Sequence, residues 1–340
     1  EEVSVSPLVA KLLVNRQVMT GEDAKYIVDG DLSNLHDPFL MKGMSIAVDR
    51  ILKAIEENEI LTVFADYDVD GVSSAAFLIH FFRDLGIPIR HYLPNRMVEG
   101  YGLSEEALNS IKETGSTLVI TADCGITAVK EAAIAKEMGL DLIITDHHQV
   151  SAEGLPQALA VLNPHQPDCP YPFRFLCGVG VVMKLSTAIR TSLHKAGWEK
   201  SRLPNLRQYL DLFALGTIAD VAPLTGENHV LTKHGLEELT TTQKPGLIAL
   251  KSVAGLNGAV DSQSIGFGLG PRLNAAGRLG KADSGLHLLL SQDLSEATDL
   301  ANGLETVNRE RQDVQKWTQK EAEYLITKEV DLENDRVIVL

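Results

Sequence analysis

The chain has 340 residues, with 31 Lys and Arg against 46 Asp and Glu and a formal charge of −15. At 44% hydrophobic and 23% charged residues it is composed like a folded protein of about two domains, which excludes wholesale disorder. The acidic balance argues against a generic nucleic-acid coat, whose grip would come from clustered Lys and Arg.

The apolar runs are too short to span a bilayer, and no basic-then-apolar leader opens the chain. Three cysteines, Cys124, Cys169 and Cys177, are too few and too irregularly spaced for a disulfide framework or a zinc site. A cytoplasmic protein without a membrane partner is the expectation.

In chain order, residues 1–58 read as a helical segment: SPLVAKLL, then TGEDAKYIV with Thr20 placed to cap, then MSIAVDRILKAIEEN. The pattern then changes. Short apolar runs (LTVFA at 61–65, IRHYL, TLVIT at 117–121, DLIIT at 141–145, ALAVL at 158–162) alternate with amphipathic helices such as SSAAFLIHFFRDLG and ITAVKEAAIAKEMG. That alternation predicts βαβ units and an α/β fold, a parallel sheet flanked by helices. From about 173 the chain reads as mostly helical. Asp293 with Glu296 makes a capping-box-like start, and Leu294, Ala297, Ala301, Leu304, Ala322 and Leu325 predict a long connector helix over 293–330. Residues 336–340, RVIVL, read as a strand with nothing after it. The chain is therefore expected to be truncated, with 331–340 the start of a second α/β lobe.

Three predicted strands end alike. LTVFA runs into Asp66, Asp68 and Asp70, TLVIT into Asp123, and DLIIT into Asp146, His147 and His148. In an open parallel sheet all carboxyl ends meet on one edge, so these residues converge. Capping explains any single Asp. Three such endings, one with paired histidines, point to metal, because crowded carboxylates repel unless cations neutralise them. DYDVDG resembles an EF-hand opening, but the twelfth position from Asp66 is Phe77 where a Glu is required, so that reading fails. Carboxylates with imidazoles and no required thiolate suit Mn2+ or Mg2+, and a pair of ions suits hydrolysis of a phosphoryl ester. Asp220 is evenly balanced between a ligand and a helix-terminal residue before Pro223.

Arg96 lies just past IRHYL on the same edge, and Arg272 and Arg278 lie in GFGLGPRLNAAGRLG, read as a glycine-rich loop able to approach phosphate. Tyr101 is a candidate to stack on a base, whereas Tyr92 reads as core. GVGVV at 178–182 lacks the third glycine and the Lys-Ser/Thr ending of a nucleotide loop, and Cys124 reads as a small apolar filler.

Taken jointly, ADYDVDG, PNR–EGYGLS, TADCGI, TDHH, VLNP, CGVGV, LGTIADVAPL and GPRLNAAGRLG resemble the DHH phosphoesterases, and among them the RecJ family of single-strand-specific exonucleases, over roughly residues 40–315. The resemblance implies a DHH domain over 59–292 and two divalent metals, Mn2+ or Mg2+. They would be held by Asp66, Asp68, Asp123, His147 and Asp220, with Asp123 bridging and catalytic. His148 would contact the scissile phosphate. Asp70 and Asp146 would give supporting hydrogen bonds, Arg96 would hold a terminal phosphate, and Tyr101, Arg272, Asn274 and Arg278 would face the strand. A missing DHHA-type domain is implied after 330. The expected activity is two-metal hydrolysis of single-stranded DNA from its 5′ end, releasing 5′-mononucleotides in repair and recombination. A monomer is expected, with a single-strand-binding protein or helicase as the kind of protein partner. The alternatives are an oligoribonuclease or cyclic-dinucleotide phosphodiesterase of the same superfamily, or a non-catalytic replication scaffold that has lost metal ligands.

Overall fold

The chain begins with three helices, α1 (Pro7–Asn15), α2 (Gly21–Asp29) and α3 (Met44–Glu56). Residues 3–16, 18–95, 99–100, 102–278, 282–330 and 337–338 are described by the computed structural model. Ser6 caps α1, accepting from the Val9 amide, but α1 buries no residue. α3 differs. Its Met44, Ala47, Val48, Ile51 and Ala54 recur at helical spacing and are all buried in the main core. α3 thus packs against β5 and α7.

The alternation that follows is β1 (Leu61–Ala65), α4 (Val69–Asp84), β2 (Ile89–Tyr92), α5 (Glu105–Glu113), β3 (Leu118–Ala122), α6 (Val129–Glu137), β4 (Asp141–Thr145) and β5 (Ala160–Leu162). All pairings are parallel, in the order β2-β1-β3-β4-β5. The central strands are wholly buried because helices cover both faces, which is why they read as continuous apolar runs. One face packs on α5 and α6 through Leu108, Ile111, Ala132 and Ala135, and the other on the larger helical mass. After β2 the chain steps back across β1 to lay down β3. Progress along the sheet reverses there, and the connections at the two carboxyl ends part to leave a crevice. Ala65 pairs with Ala122, so Asp66 and Asp123, one residue further on, sit at that switch point.

The remainder is helical: α7 (Gly178–Lys195), α8 (Leu210–Ala219), α9 (Gly226–Thr241), α10 (Pro245–Val253), α11 (Gly270–Arg278), α12 (Ala282–Leu290) and α13 (Leu294–Glu329). α4 is the hub, packed on the sheet and against α7, α8 and α12. The long helix expected over 293–330 is present as α13: Asp293 accepts from the Glu296 amide at 2.8 Å, and Ala297, Ala301 and Leu304 seat its first turns in the core. The strand expected at 336–340 falls mostly outside the described residues.

One expectation is corrected. GFGLGPRLNAAGR is no loop: Ser264–Leu269 is π-helical and continues into α11. Ile265, Leu269, Leu273 and Ala276 are all buried at near-helical spacing. Burying that stripe outweighs the roughly 1 kcal/mol each interior glycine costs a helix.

Candidate metal centre

Each acid is delivered by a different element. Asp66 follows β1 directly and is 5% exposed. Asp68 caps α4, its Oδ1 accepting from the Gly71 amide at 3.0 Å. That turn is tight enough that a Cβ on Gly71 would meet the Asp66 carbonyl oxygen at 2.4 Å, so only glycine fits. Asp123 ends β3 with φ of +64°, a left-handed conformation that costs a non-glycine residue about 1–2 kcal/mol. His147 and His148 follow β4 through Asp146, and Asp220 ends α8.

These side chains converge. Ligand atoms of Asp66, Asp68 and Asp123 lie within 4.8 Å of one another, as do those of Asp70, His147 and Asp220, and those of Asp123, His147 and His148. His147 Nε2 is 3.1 Å from Asp123 Oδ1 and 3.8 Å from both Asp70 Oδ2 and Asp220 Oδ2. Yet Asp123 Oδ1 and His147 Nε2 are both buried without a hydrogen bond. Each orphaned atom costs about 1–3 kcal/mol. Two of them face to face, among four more carboxylates, are lone pairs aimed at a common cation. The donor set therefore fits divalent metal.

The electrostatics agree. Burial, then the neighbouring Asp68, pushes Asp66 up to about 7 and Asp220 up to about 6. Asp123 and Asp70 are raised well above the carboxylate range, by burial first and then by other carboxylates. Burial, then His148, holds His147 down at about 4, so its imidazole is neutral and its lone pair available. A site that makes its own acids hard to ionise is balanced only by added positive charge.

Two residues have clear supporting contacts. Asp70 is fully buried and accepts from the Gly178 and Val179 amides at 2.6 and 3.0 Å, at the N-terminus of α7. CGVGV, discounted as a nucleotide loop, is thus an anion cradle for a carboxylate of the chain itself. Asp70 also lies closer to the cluster than the sequence reading supposes. Asp146 Oδ1 accepts from the His147 and His148 amides and from His148 Nδ1 at 2.7 Å, while Oδ2 accepts from the Ile126 amide. Burial opposes ionisation of Asp146, but the His148 contact and these amides prevail and hold it below the usual range. Reciprocally, that hydrogen bond lifts His148 to about 9, with its ring half exposed at the mouth of the cluster. Asn163 is a site residue that the sequence reading misses. Its Nδ2 donates to the His148 carbonyl at 2.9 Å, fixing the turn; VLNP carries the only signal.

The expected substrate residues are less uniformly placed. Arg96 and Tyr101 lie outside the described residues, as does the side chain of Arg278. Arg272 is nearly buried: its Nε is 2.7 Å from Glu305 Oε2 on α13, and its Nη1 donates to the Gly268 carbonyl at 2.7 Å. It braces α11 against α13, and the open loop arginine expected there is not found. Asn274 Oδ1 accepts from the Val69 amide at 3.2 Å, joining α11 to the start of α4 beside Asp68. Tyr92 stacks on Phe64 with ring centroids 5.7 Å apart, a packing role as expected.

Comparison with known proteins places this geometry. Residues 60–217 match the model for the DHH family, N-terminal domain. Over 313 residues the chain is 45% identical to the single-stranded-DNA-specific exonuclease RecJ of Bacillus subtilis (strain 168), covering 92% of this chain and 38% of that protein. Among solved structures it is similar to exonuclease RecJ bound to manganese (34% identity, TM-score 0.74, covering 83% of this chain and 69% of that one). It is also similar to RecJ in complex with Mn2+ from Thermus thermophilus (30% identity, TM-score 0.74, covering 96% and 47%). The chain spans 38% to 56% of the length of the curated relatives it matches.

Proposed function

Because the chain belongs to the RecJ family of the DHH superfamily, we propose that it is the metal-binding catalytic lobe of an exonuclease that hydrolyses single-stranded DNA from the 5′ end, releasing 5′-mononucleotides. The observation that carries the proposal is the buried, facing pair of Asp123 Oδ1 and His147 Nε2, 3.1 Å apart and without hydrogen bonds. A non-catalytic scaffold on this fold would have no reason to keep so costly an arrangement.

In this reading Asp66, Asp68, Asp123, His147 and Asp220 would hold two divalent ions, with Asp123 between them, and Asp70 lies within ligand distance of His147 and Asp220. When bound, two such ions polarise the phosphoryl oxygen and acidify a water. The chain's own residues do the rest. Asp70 ties α4 to the N-terminus of α7 beside the cluster. Asp146 accepts a hydrogen bond from His148 Nδ1, which favours a protonated Nδ1 and orients the ring so that Nε2 is left to meet the phosphate. His147 stays neutral and offers only its lone pair.

Arg96, Tyr101 and Arg278 are proposed to hold the strand beyond the cluster. A monomer in the cytoplasm, working with a single-strand-binding protein or a helicase, belongs to the same proposal. No helix among the described residues is long and apolar enough to cross a membrane. The test is Asp123→Ala in the full-length protein. Mn2+-dependent release of nucleotides from 5′-phosphorylated single strands is expected to vanish, and retained activity overturns the assignment.

A further inference from the structure

The middle of α13 carries two arginines with opposite fates. Arg309 is paired with Glu305 on its own helix at 2.7 Å. Arg311 forms no ion pair among the described residues. Its Nε is buried without an acceptor, and Nη1 reaches only Gln315 Oε1, at 3.5 Å. Leaving a guanidinium N–H unpartnered costs about 1–3 kcal/mol, and on so acidic a helix a carboxylate partner was readily available.

Arg311 lines a cavity of about 160 Å3 together with Ala219, Gly266, Gly270, Pro271 and Asn274. The cavity adjoins the metal centre on two sides. Ala219 immediately precedes Asp220, and Asn274 is bonded to the amide of Val69, the residue after Asp68. No acid among the described residues lines it, although the carboxylate cluster is next to it. Gly266 has open space where a side chain would stand, so backbone is exposed to whatever enters. The Oδ1 of Asn274 is occupied by Val69, which leaves its amide nitrogen as a second donor. The volume is about five times the ~30 Å3 share of one liquid water, room for a phosphodiester group and part of its hydration.

We propose that Arg311 receives a backbone phosphate of the substrate strand, adjacent to the scissile one. This rests on the single-stranded-DNA reading above and deepens it. A guanidinium with unused donors, in a cavity lined by no acid among the described residues, suits an anionic, multi-acceptor group. Contact to phosphate reads no sequence, as suits an enzyme that degrades whatever strand it meets.

The test is Arg311→Gln in the full-length, Mn2+-loaded protein, with steady-state kinetics on two substrates. One is a long oligothymidylate; the other is thymidylyl-thymidine, whose sole phosphate is the scissile one. KM for the long strand is expected to rise roughly 10- to 100-fold, with kcat within about twofold and its salt dependence shallower by about one unit of slope. KM for thymidylyl-thymidine and calorimetric Mn2+ affinity should not move, and Arg311→Lys should recover part of the loss. An unchanged KM on the long strand overturns the proposal. So do equal losses on both substrates with weakened Mn2+ binding, which would mark a purely structural role. A wild-type protein that spares single strands altogether defeats the nuclease reading itself, and this inference with it.

Discussion

Gly178 opens α7 directly beneath Asp123, and replacing it by alanine tests the metal centre without replacing a ligand. An added Cβ would lie 2.5 Å from Asp123 Cβ, 2.6 Å from Oδ1 and 2.8 Å from Cγ. Non-bonded carbons prefer about 3.5–4.0 Å, so the methyl group is short of room by about 1 Å. Neither side yields easily. α7 is pinned by the Gly178 and Val179 amides on Asp70 and by the fully buried Val179, Val181 and Val182. Asp123 is pinned by its amide on the Thr145 carbonyl at 3.0 Å and by its left-handed backbone. Metal–oxygen distances tolerate only about 0.2 Å. A displacement several times larger should remove Asp123 from effective ligation and weaken Mn2+ binding about 100-fold, some 3 kcal/mol. Overpacking should cost a further 1–3 kcal/mol or so of stability. Calorimetric titration with Mn2+ reads the first effect, and thermal unfolding by circular dichroism reads the second. Gly180→Ala is the control. It lies on the same helix, but its Cβ would press on the Leu176 side chain at 3.0 Å, away from Asp123, so Mn2+ affinity should hold. A Gly178→Ala protein that folds and binds Mn2+ within about threefold of wild type would refute the reasoning.

The carboxylates also set a pH dependence. Asp66 at about 7 and Asp220 at about 6 stand above their unfolded value of 3.8, so without metal the native state holds more protons than the unfolded one and loses stability as pH rises toward 7. His80, held at about 4 by burial, works the opposite way between pH 4 and 6.5, but equally with and without metal. The rise in Tm on adding Mn2+ to EDTA-treated protein should therefore be larger at pH 8 than at pH 5.5, and an equal or smaller rise contradicts the cluster. Asp146→Asn should return the His148 ring from about 9 toward its ordinary 6.5, read by NMR titration of that imidazole; no movement would mean that Asp146 does not set its charge. Glu227 accepts from Lys184 Nζ at 2.5 Å, from the Tyr171 hydroxyl at 2.5 Å and from the His36 amide, all in the interior. Glu227→Ala strands a buried ammonium and should cost about 3–5 kcal/mol in urea unfolding, whereas a loss under about 1 kcal/mol contradicts that picture.

What can be read from the amino acids divides by range of interaction. LTVFA, TLVIT and DLIIT declare buried parallel strands, and the sheet-edge rule then gathers Asp66, Asp123 and His147 without further information. Asp220 needs more, because nothing local separates a ligand from a helix end. Its place is fixed by α8 packing across α4. Asp70 is underread for the same reason: its partners, the amides of Gly178 and Val179, are more than a hundred residues away. The GFGLGPRLNAAGR segment misleads because its glycine content masks the Ile265–Leu269–Leu273–Ala276 stripe, and stripe burial depends on neighbours a local window does not see. Arg272 follows from that error, since its partner Glu305 sits on a helix one fold layer away.

α13 has 36 residues and at 1.5 Å per residue is about 54 Å long, yet its buried side chains, Ala297, Ala301, Leu304, Val307 and Asn308, all fall within its first half. Mechanically it is a boom clamped at one end. The 21 residues past Asn308 span about 32 Å, so a tilt of about 5° at the clamp sweeps the far end through nearly 3 Å. The clamp is the same face of the protein that carries α11 and, through Asn274, touches the first turn of α4 beside Asp68. The clamped half of α13 is thus joined, through α11 and Asn274, to the turn that holds Asp68.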